Sequence, residues 1–463
     1  MIRKIIINFI TFCLLLTAFS ASVSIVNGQT KKQIKQAKQL AEDGDRSFQR
    51  KDYRTAITKY AEAIVLVPNY PAIHYWKGYA HYYLNEFDQA LTEMDAAFDR
   101  GYKPLDIYKL RWFLHYQKKN YEVALQDVEQ GLKLDPSNLT FNLAIGELNY
   151  AKGSYQKALV AYQKAVEIDP NNADTHYSIA ASYAALGDTN KQLLAALEAV
   201  TRNTKYLGEA YFLVGDGYQK TRKFNEAANA YLKAMSAKPD IYPVYRNLSD
   251  IYRNQNRFEE AITITKKGLE RFPNDGNLYV ALGWYNSLAD HNFDSIIASK
   301  KAVELLPNQY LGYTNLCRAY YETKQFQLAL DSCNTALRLN PNDGETNVYL
   351  GLTYLSLDKE DTANKFFAKA VNGLLDYTKN NPDYSDGFYL LGNAYYYDGQ
   401  PKKAIEAYNK CLQLSPRFAK ARYNLGLTYF VTKNMSAANE QYEALLKMDK
   451  DLAAKLKQAI DKK

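Results

Sequence analysis

At 463 residues the chain is too long for one ordinary hydrophobic core, so several domains or a repeat array are expected. A hydrophobic content of 47% excludes wholesale disorder. The net charge of +8 is thinly spread, with no dense Lys/Arg block after residue 30, which excludes the footprint of a nucleic-acid partner.

The chain opens with a basic MIRK, a continuous apolar run IIINFITFCLLLTAF, and small-residue frames at Ala18–Ser20 and Val26–Gly28. This pattern predicts a signal peptide over residues 1–28, removed on export. A retained anchor is the competing reading, but the run is short for a spanning helix. Phe12 before Cys13 does not match a lipobox, and no later apolar run is long enough to span a bilayer. The expected location is therefore outside the cytoplasm, in the periplasm or cell envelope of a bacterium, with no transmembrane segment after cleavage.

Beyond the leader a period of 34 residues runs through the chain. Its anchors are Gly44, Gly78, Trp112, Gly146, Ala180, Gly215, Ser249, Gly283, Cys317, Gly351, Gly392 and Gly426, with one step of 35 and one of 41. Twelve residues after the anchor comes alanine in ten of twelve units, from Ala56 to Ala438. Twenty-four after it comes proline in eight, from Pro68 to Pro416, and three after it comes tyrosine in seven. Each unit predicts a helical hairpin: a first helix around the anchor, a short polar turn, a second amphipathic helix, and a proline that stops it. Small residues at the anchor and at the alanine position let the two helices approach closely. One hairpin cannot bury its apolar faces alone, so neighbours must stack into a continuous core.

Segments such as LGNAYYYDGQPKKAIEAYNKCLQLSP and AIGELNYAKGSYQKALVAYQKAVEIDPNN resemble the tetratricopeptide repeat family over nearly the whole chain after the leader. The resemblance implies an all-α, right-handed superhelical solenoid of about twelve hairpins. Repeats one to five fall in 37–206, six to ten in 208–383, eleven and twelve in 385–452, with a cap helix in 453–463. Two units depart from the pattern. Repeat five carries Gln192 for alanine and lacks the proline, and repeat ten runs on through LLDYTKNNPDYSD, seven residues longer.

The most unusual stretch is Tyr395, Tyr396 and Tyr397 on one first helix, in a chain with 41 tyrosines. Successive helical residues point in different directions. Tyr395 is assigned to the hairpin core. The other face of the first helix lines a concave groove in proteins of the resembled family, which implies a partner-binding groove of an extended residue set. In the early repeats it comprises Tyr75, Tyr79, Tyr82, Tyr83, Phe113, Tyr116, Tyr150 and Phe212, together with Tyr177. Midway it turns charged, with Arg246, Asp250, Arg253 and Arg318 beside Trp284 and Tyr321. It closes with Tyr389, Asn393, Tyr396 and Tyr397, followed by Tyr423 and Phe430. The competing reading is that these side chains pack helix against helix between adjacent repeats.

No metal or cofactor is expected, because the five histidines lack zinc-ligand spacing and HExxH is absent. Leader and repeats leave roughly twenty residues, too few for a catalytic domain. The register places Cys317 at an anchor and Cys333 where the second helix faces back, so a disulfide between them is chemically permitted in an exported protein. The competing reading is two small buried thiols, and Cys411 is expected as a free buried thiol. The expected function is a non-catalytic protein–protein interaction scaffold that holds an extended peptide or helix, in envelope assembly, secretion or surface-complex organisation. The alternative is a glycan- or peptidoglycan-binding envelope protein, which would depend on aromatics and little on Arg246, Arg253 and Arg318.

Overall fold

Thr30 caps the first helix: its side chain accepts from the backbone of Gln33, whose own side chain reaches back to the cap backbone. From there a computed structural model describes residues 30–461, and the expected leader lies outside them. Helix α1 (Lys31–Gln49) pairs with α2 (Tyr53–Leu66), and α3 (Pro71–Tyr83) with α4 (Phe87–Asp99). The pattern continues through 25 helices, with no strand among the described residues. Within each unit consecutive helices pack on one another, as Lys31–Gln49 does on Tyr53–Leu66 and Gly344–Leu355 on Glu360–Asn380, so each unit is an all-α array of stacked hairpins.

The chain divides into two compact units, Met1–Gly217 and Tyr218–Lys463. The division falls inside helix Leu207–Lys220, the first helix of repeat six, and not in a linker.

The turn within each hairpin has one geometry. Seven residues after every anchor the backbone is left-handed: Lys51, Asn85, Lys119, Gly153, Gly187, Arg222, Asn256, Asp290, Lys324, Asp358, Gly399 and Lys433. Only three of these twelve are glycine, so nine turns hold an L side chain where φ is positive, a conformation that costs on the order of 1 kcal/mol or more.

The turn between hairpins has its own device. In six repeats, a side chain six residues after the proline bonds the proline carbonyl. His74 Nε2 meets Pro68 O at 3.2 Å, Asn142 Nδ2 donates to Pro136 O at 3.3 Å, and His176 Nε2 meets Pro170 O at 3.0 Å. Tyr245, Tyr313 and Arg422 donate to the carbonyls of Pro239, Pro307 and Pro416 at 2.8, 3.3 and 3.0 Å. The turn carbonyl just beyond each helix and its cap thereby gains a side-chain partner. Where repeats two and five lack the proline, Gly101 and Asn203 adopt positive φ and close the helix instead. Tyr102 N donates to Ala97 O and Thr204 N to Ala199 O, each at 3.0 Å, as in a Schellman ending. In repeat ten the seven extra residues form two further turns of one helix, Glu360–Asn380.

All ten repeat alanines are fully buried, and so are the two exceptions, Gln192 and Ser295. The Gln192 amide donates to Leu213 O at 3.0 Å and to Asp216 Oδ2 at 2.7 Å, which is how a polar side chain is accommodated there. Ser295 Oγ donates to Gly283 O at 2.7 Å.

The anchor and the residue sixteen after it share one volume. Glycine anchors lie under Tyr60, Tyr162, Phe367 and Tyr408, whose ring atoms come within 2.8 Å of an added Cβ. In repeat three the sizes are exchanged, with Trp112 fully buried over Val128. In repeat nine the pair is Cys317 and Cys333, joined as a disulfide with Cα atoms 5.0 Å apart. Cys411 is free and buried, and burial pushes its thiol up. The last helix begins at Lys450, ahead of the expected 453, and its Leu456 covers Gly426 of the final repeat.

Candidate functional site

The first-helix face differs between the two units. In the first, α3 presents Tyr75, Tyr79, Tyr82 and Tyr83 on successive turns. Tyr75, Tyr79 and Tyr82 are only 5%, 7% and 6% exposed. Tyr75 stands edge-on to Tyr79 at 5.0 Å, and Tyr82 meets Phe113 of the next first helix, Leu105–Gln117, at 6.0 Å. Burial raises the phenols of Tyr75 and Tyr79 above their usual range. The expectation that these three line an open groove is therefore corrected: the space between consecutive first helices is filled by the rings themselves.

From repeat two to repeat four exposure increases at the position four after the anchor. Tyr82 is buried, Tyr116 is half-buried against Trp112 and Tyr121, and Tyr150 is 38% exposed, edge-on to Tyr155 at 5.2 Å. Tyr83 is half-buried, stacked on Tyr53 at 4.8 Å. Tyr177 stacks on Tyr206 at 4.7 Å, and Phe113 and Phe212 are half-buried.

In the second unit the charged set is mostly internal. Arg253 donates to Asp386 Oδ2 at 3.2 Å, and the two side chains are 4% and 12% exposed. The guanidinium lies between the rings of Trp284 at 4.4 Å and Tyr384 at 4.8 Å. Asp250, 3.7 Å from Arg253 Nε, accepts from Tyr285 OH at 2.9 Å. Arg318 is buried against Glu345 and lies beside the ring of Tyr349. Burial pushes the Glu345 carboxyl up to about 7 against the opposing pull of Arg318. The expectation that Arg253 and Arg318 line a partner-binding groove is thus corrected, because internal carboxylates hold both. Arg246 alone of the three is exposed.

The late aromatics are mixed. Tyr395 is buried in the hairpin core, as its register predicts. Tyr396 is half-buried, and Tyr397 is 37% exposed while stacked on Phe367 at 5.1 Å. Tyr389 is half-buried beside Phe418. Asn393 is buried, its oxygen accepting from Tyr408 OH at 2.7 Å and Asn424 Nδ2 at 2.8 Å. Tyr321, Tyr423 and Phe430 are half-buried.

Sequence reasoning missed Glu345 and Asp386. Both sit six residues before their anchors, at the start of a first helix, where Asp106, Asp174 and Glu209 also lie. An acidic residue recurring near helix N-termini was a readable signal.

Among the described residues no helix is long and apolar enough to cross a membrane. Models of the tetratricopeptide repeat match residues 44–85, 146–187 and 392–431, and also 212–276, 310–343 and 419–452, together just over half the chain. The human protein O-mannosyl-transferase TMTC3 is 27% identical over 255 residues, 51% of this chain and 27% of that protein. The Saccharomyces cerevisiae peroxisomal targeting signal receptor is 26% identical over 221 residues, 44% of this chain and 34% of the receptor. The chain thus spans only 27% and 34% of the length of these relatives. The APC/C hetero-tetramer Cut9-Hcn1 has a TM-score of 0.43 and 15% identity, covering 92% of this chain and 96% of that one.

Proposed function

We propose that this chain, which belongs to the tetratricopeptide repeat family, is a non-catalytic scaffold that holds an extended peptide or helix of another protein against its first helices. The observation that carries this reading is the opening of the tyrosine row from Tyr82 through Tyr116 to Tyr150. Rings repeated at one offset on consecutive helices present flat apolar faces with hydroxyls at low entropic cost. A peptide in extended or helical form meets such a row side chain by side chain. The likeness to a receptor named for a targeting signal supports a protein ligand, at the level of family analogy.

Its place of work, in this proposal, is the periplasm or envelope of a bacterium, in assembly, secretion or the organisation of surface complexes. The basic–apolar–small leader supports export. So does the Cys317–Cys333 disulfide, which suits an oxidising compartment.

The test is capture from envelope extract with residues 29–463 as bait, beside the Tyr116→Ser/Tyr150→Ser variant. A partner held by the parent and lost by the folded variant is the expected result. Equal capture by both would overturn the assignment of the surface. Co-sedimentation with purified peptidoglycan in place of any protein partner would favour a glycan ligand.

A further inference from the structure

The second unit touches itself across long stretches of sequence, and three of these contacts have a hairpin-turn residue on one side. Arg222, Asn256 and Asp290 are the left-handed turn residues of repeats six, seven and eight. Arg222 donates to Asp383 at 2.8 Å across 161 residues. Asn256 donates to Ser415 Oγ across 159 residues, and Lys420 donates to Asp290 at 2.6 Å across 130. Asp383, Ser415 and Lys420 lie at the entries to repeats eleven and twelve. Behind this line stands the buried Arg253–Asp386 pair, between Trp284 and Tyr384. Three consecutive turns therefore meet the start of two later repeats, and the contacts are polar.

We propose that this seam is an electrostatic clasp, which holds the second unit shut over its first-helix face and releases to expose Arg253, Trp284, Tyr384 and Asp386. The outer contacts are easily lost. Arg222 and Asp383 are 60% and 58% exposed, and Lys420 and Asp290 are 33% and 70% exposed, so each pair is weak and screened by salt. The inner pair gains attraction in a low-dielectric site but gives much of it back in desolvation. The left-handed turn position supplies the clasp's side chain in all three contacts. Repeats six to eight supply a side chain with hydrogen-bonding capacity at that position in every case.

The experiment is cross-linking in the full chain. Asn256→Cys with Ser415→Cys places two thiols where the side chains now touch. At low ionic strength a brief oxidant pulse should yield the 256–415 bond, identified by peptide mass spectrometry without reduction. In about 1 M NaCl, where the Debye length falls to about 3 Å, the bond should form roughly fivefold more slowly. Adding Asp290→Ala and Lys420→Ala, neither a fully buried position, should slow it similarly with helicity unchanged. Failure to form the bond at low salt in a fully helical protein would overturn the proposal. So would a rate indifferent to both salt and these two substitutions.

Discussion

Gly146 lies beneath the ring of Tyr162, so close that a Cβ added to the glycine would stand 2.2 Å from the ring. The anchor is therefore small because of what faces it, sixteen residues on, and not because of its backbone. Gly146→Ala should destabilise the protein by about 1–3 kcal/mol through overpacking. Combined with Tyr162→Ala the cost of the alanine should largely vanish, a coupling that a double-mutant cycle in urea would measure. Additive losses would mean that the two positions do not share a volume.

The hairpin turns make a separate prediction. Gly153 has φ +73° and nothing within 4 Å of an added Cβ, so any penalty there is purely conformational. Gly153→Ala should cost on the order of 1 kcal/mol. The reverse change at a non-glycine turn, Lys324→Gly at φ +59°, should be neutral or stabilising by a few tenths of a kcal/mol. Chemical denaturation of the two variants checks both signs.

The disulfide closes a loop of sixteen residues within repeat nine. In the chain-entropy model such a loop contributes about 3 kcal/mol. Cys333→Ser should lower stability by that order, with hydrogen exchange loosening centred on residues 310–343 because repeats depend mainly on their neighbours. Alkylation in denaturant without reduction should modify Cys411 and leave Cys317 and Cys333 untouched.

Glu345 gives the second unit a pH dependence. An unfolded glutamate titrates near about 4.3, whereas burial holds this one at about 7 in the folded chain. Between those values the folded state keeps a proton that the unfolded state has released. Stability contributed by this group therefore falls as pH rises from about 4.3 towards 7 and is flat above. Urea midpoints at pH 5 and pH 8 should show the decline in the parent chain and a smaller one in Glu345→Gln.

The repeat architecture was legible because the core recurs. Ala56 to Ala438 and Pro68 to Pro416 mark a small contact and a helix stop in register, and the buried alanines follow that register throughout. The carbonyl staple was not legible, since His74, Asn142, Tyr245 and Arg422 perform it with four different chemistries. The open site was read only in part. Register separates Tyr395 from Tyr396 and Tyr397, but burial between consecutive helices depends on what the next repeat presents, as Phe113 does to Tyr82. The Arg253–Asp386 pair, 133 residues apart, leaves no periodic trace, because it joins repeat seven to repeat eleven.

The central claim is that a partner segment lies along the first-helix tyrosines of the first unit. Hydrogen exchange of residues 29–463, with and without the captured partner, tests it most directly. The account predicts new protection in the helices Leu105–Gln117 and Leu139–Ala151, which carry Tyr116 and Tyr150, with the second helices of the same hairpins unchanged. Protection confined to those second helices, or none in either first helix, would contradict it.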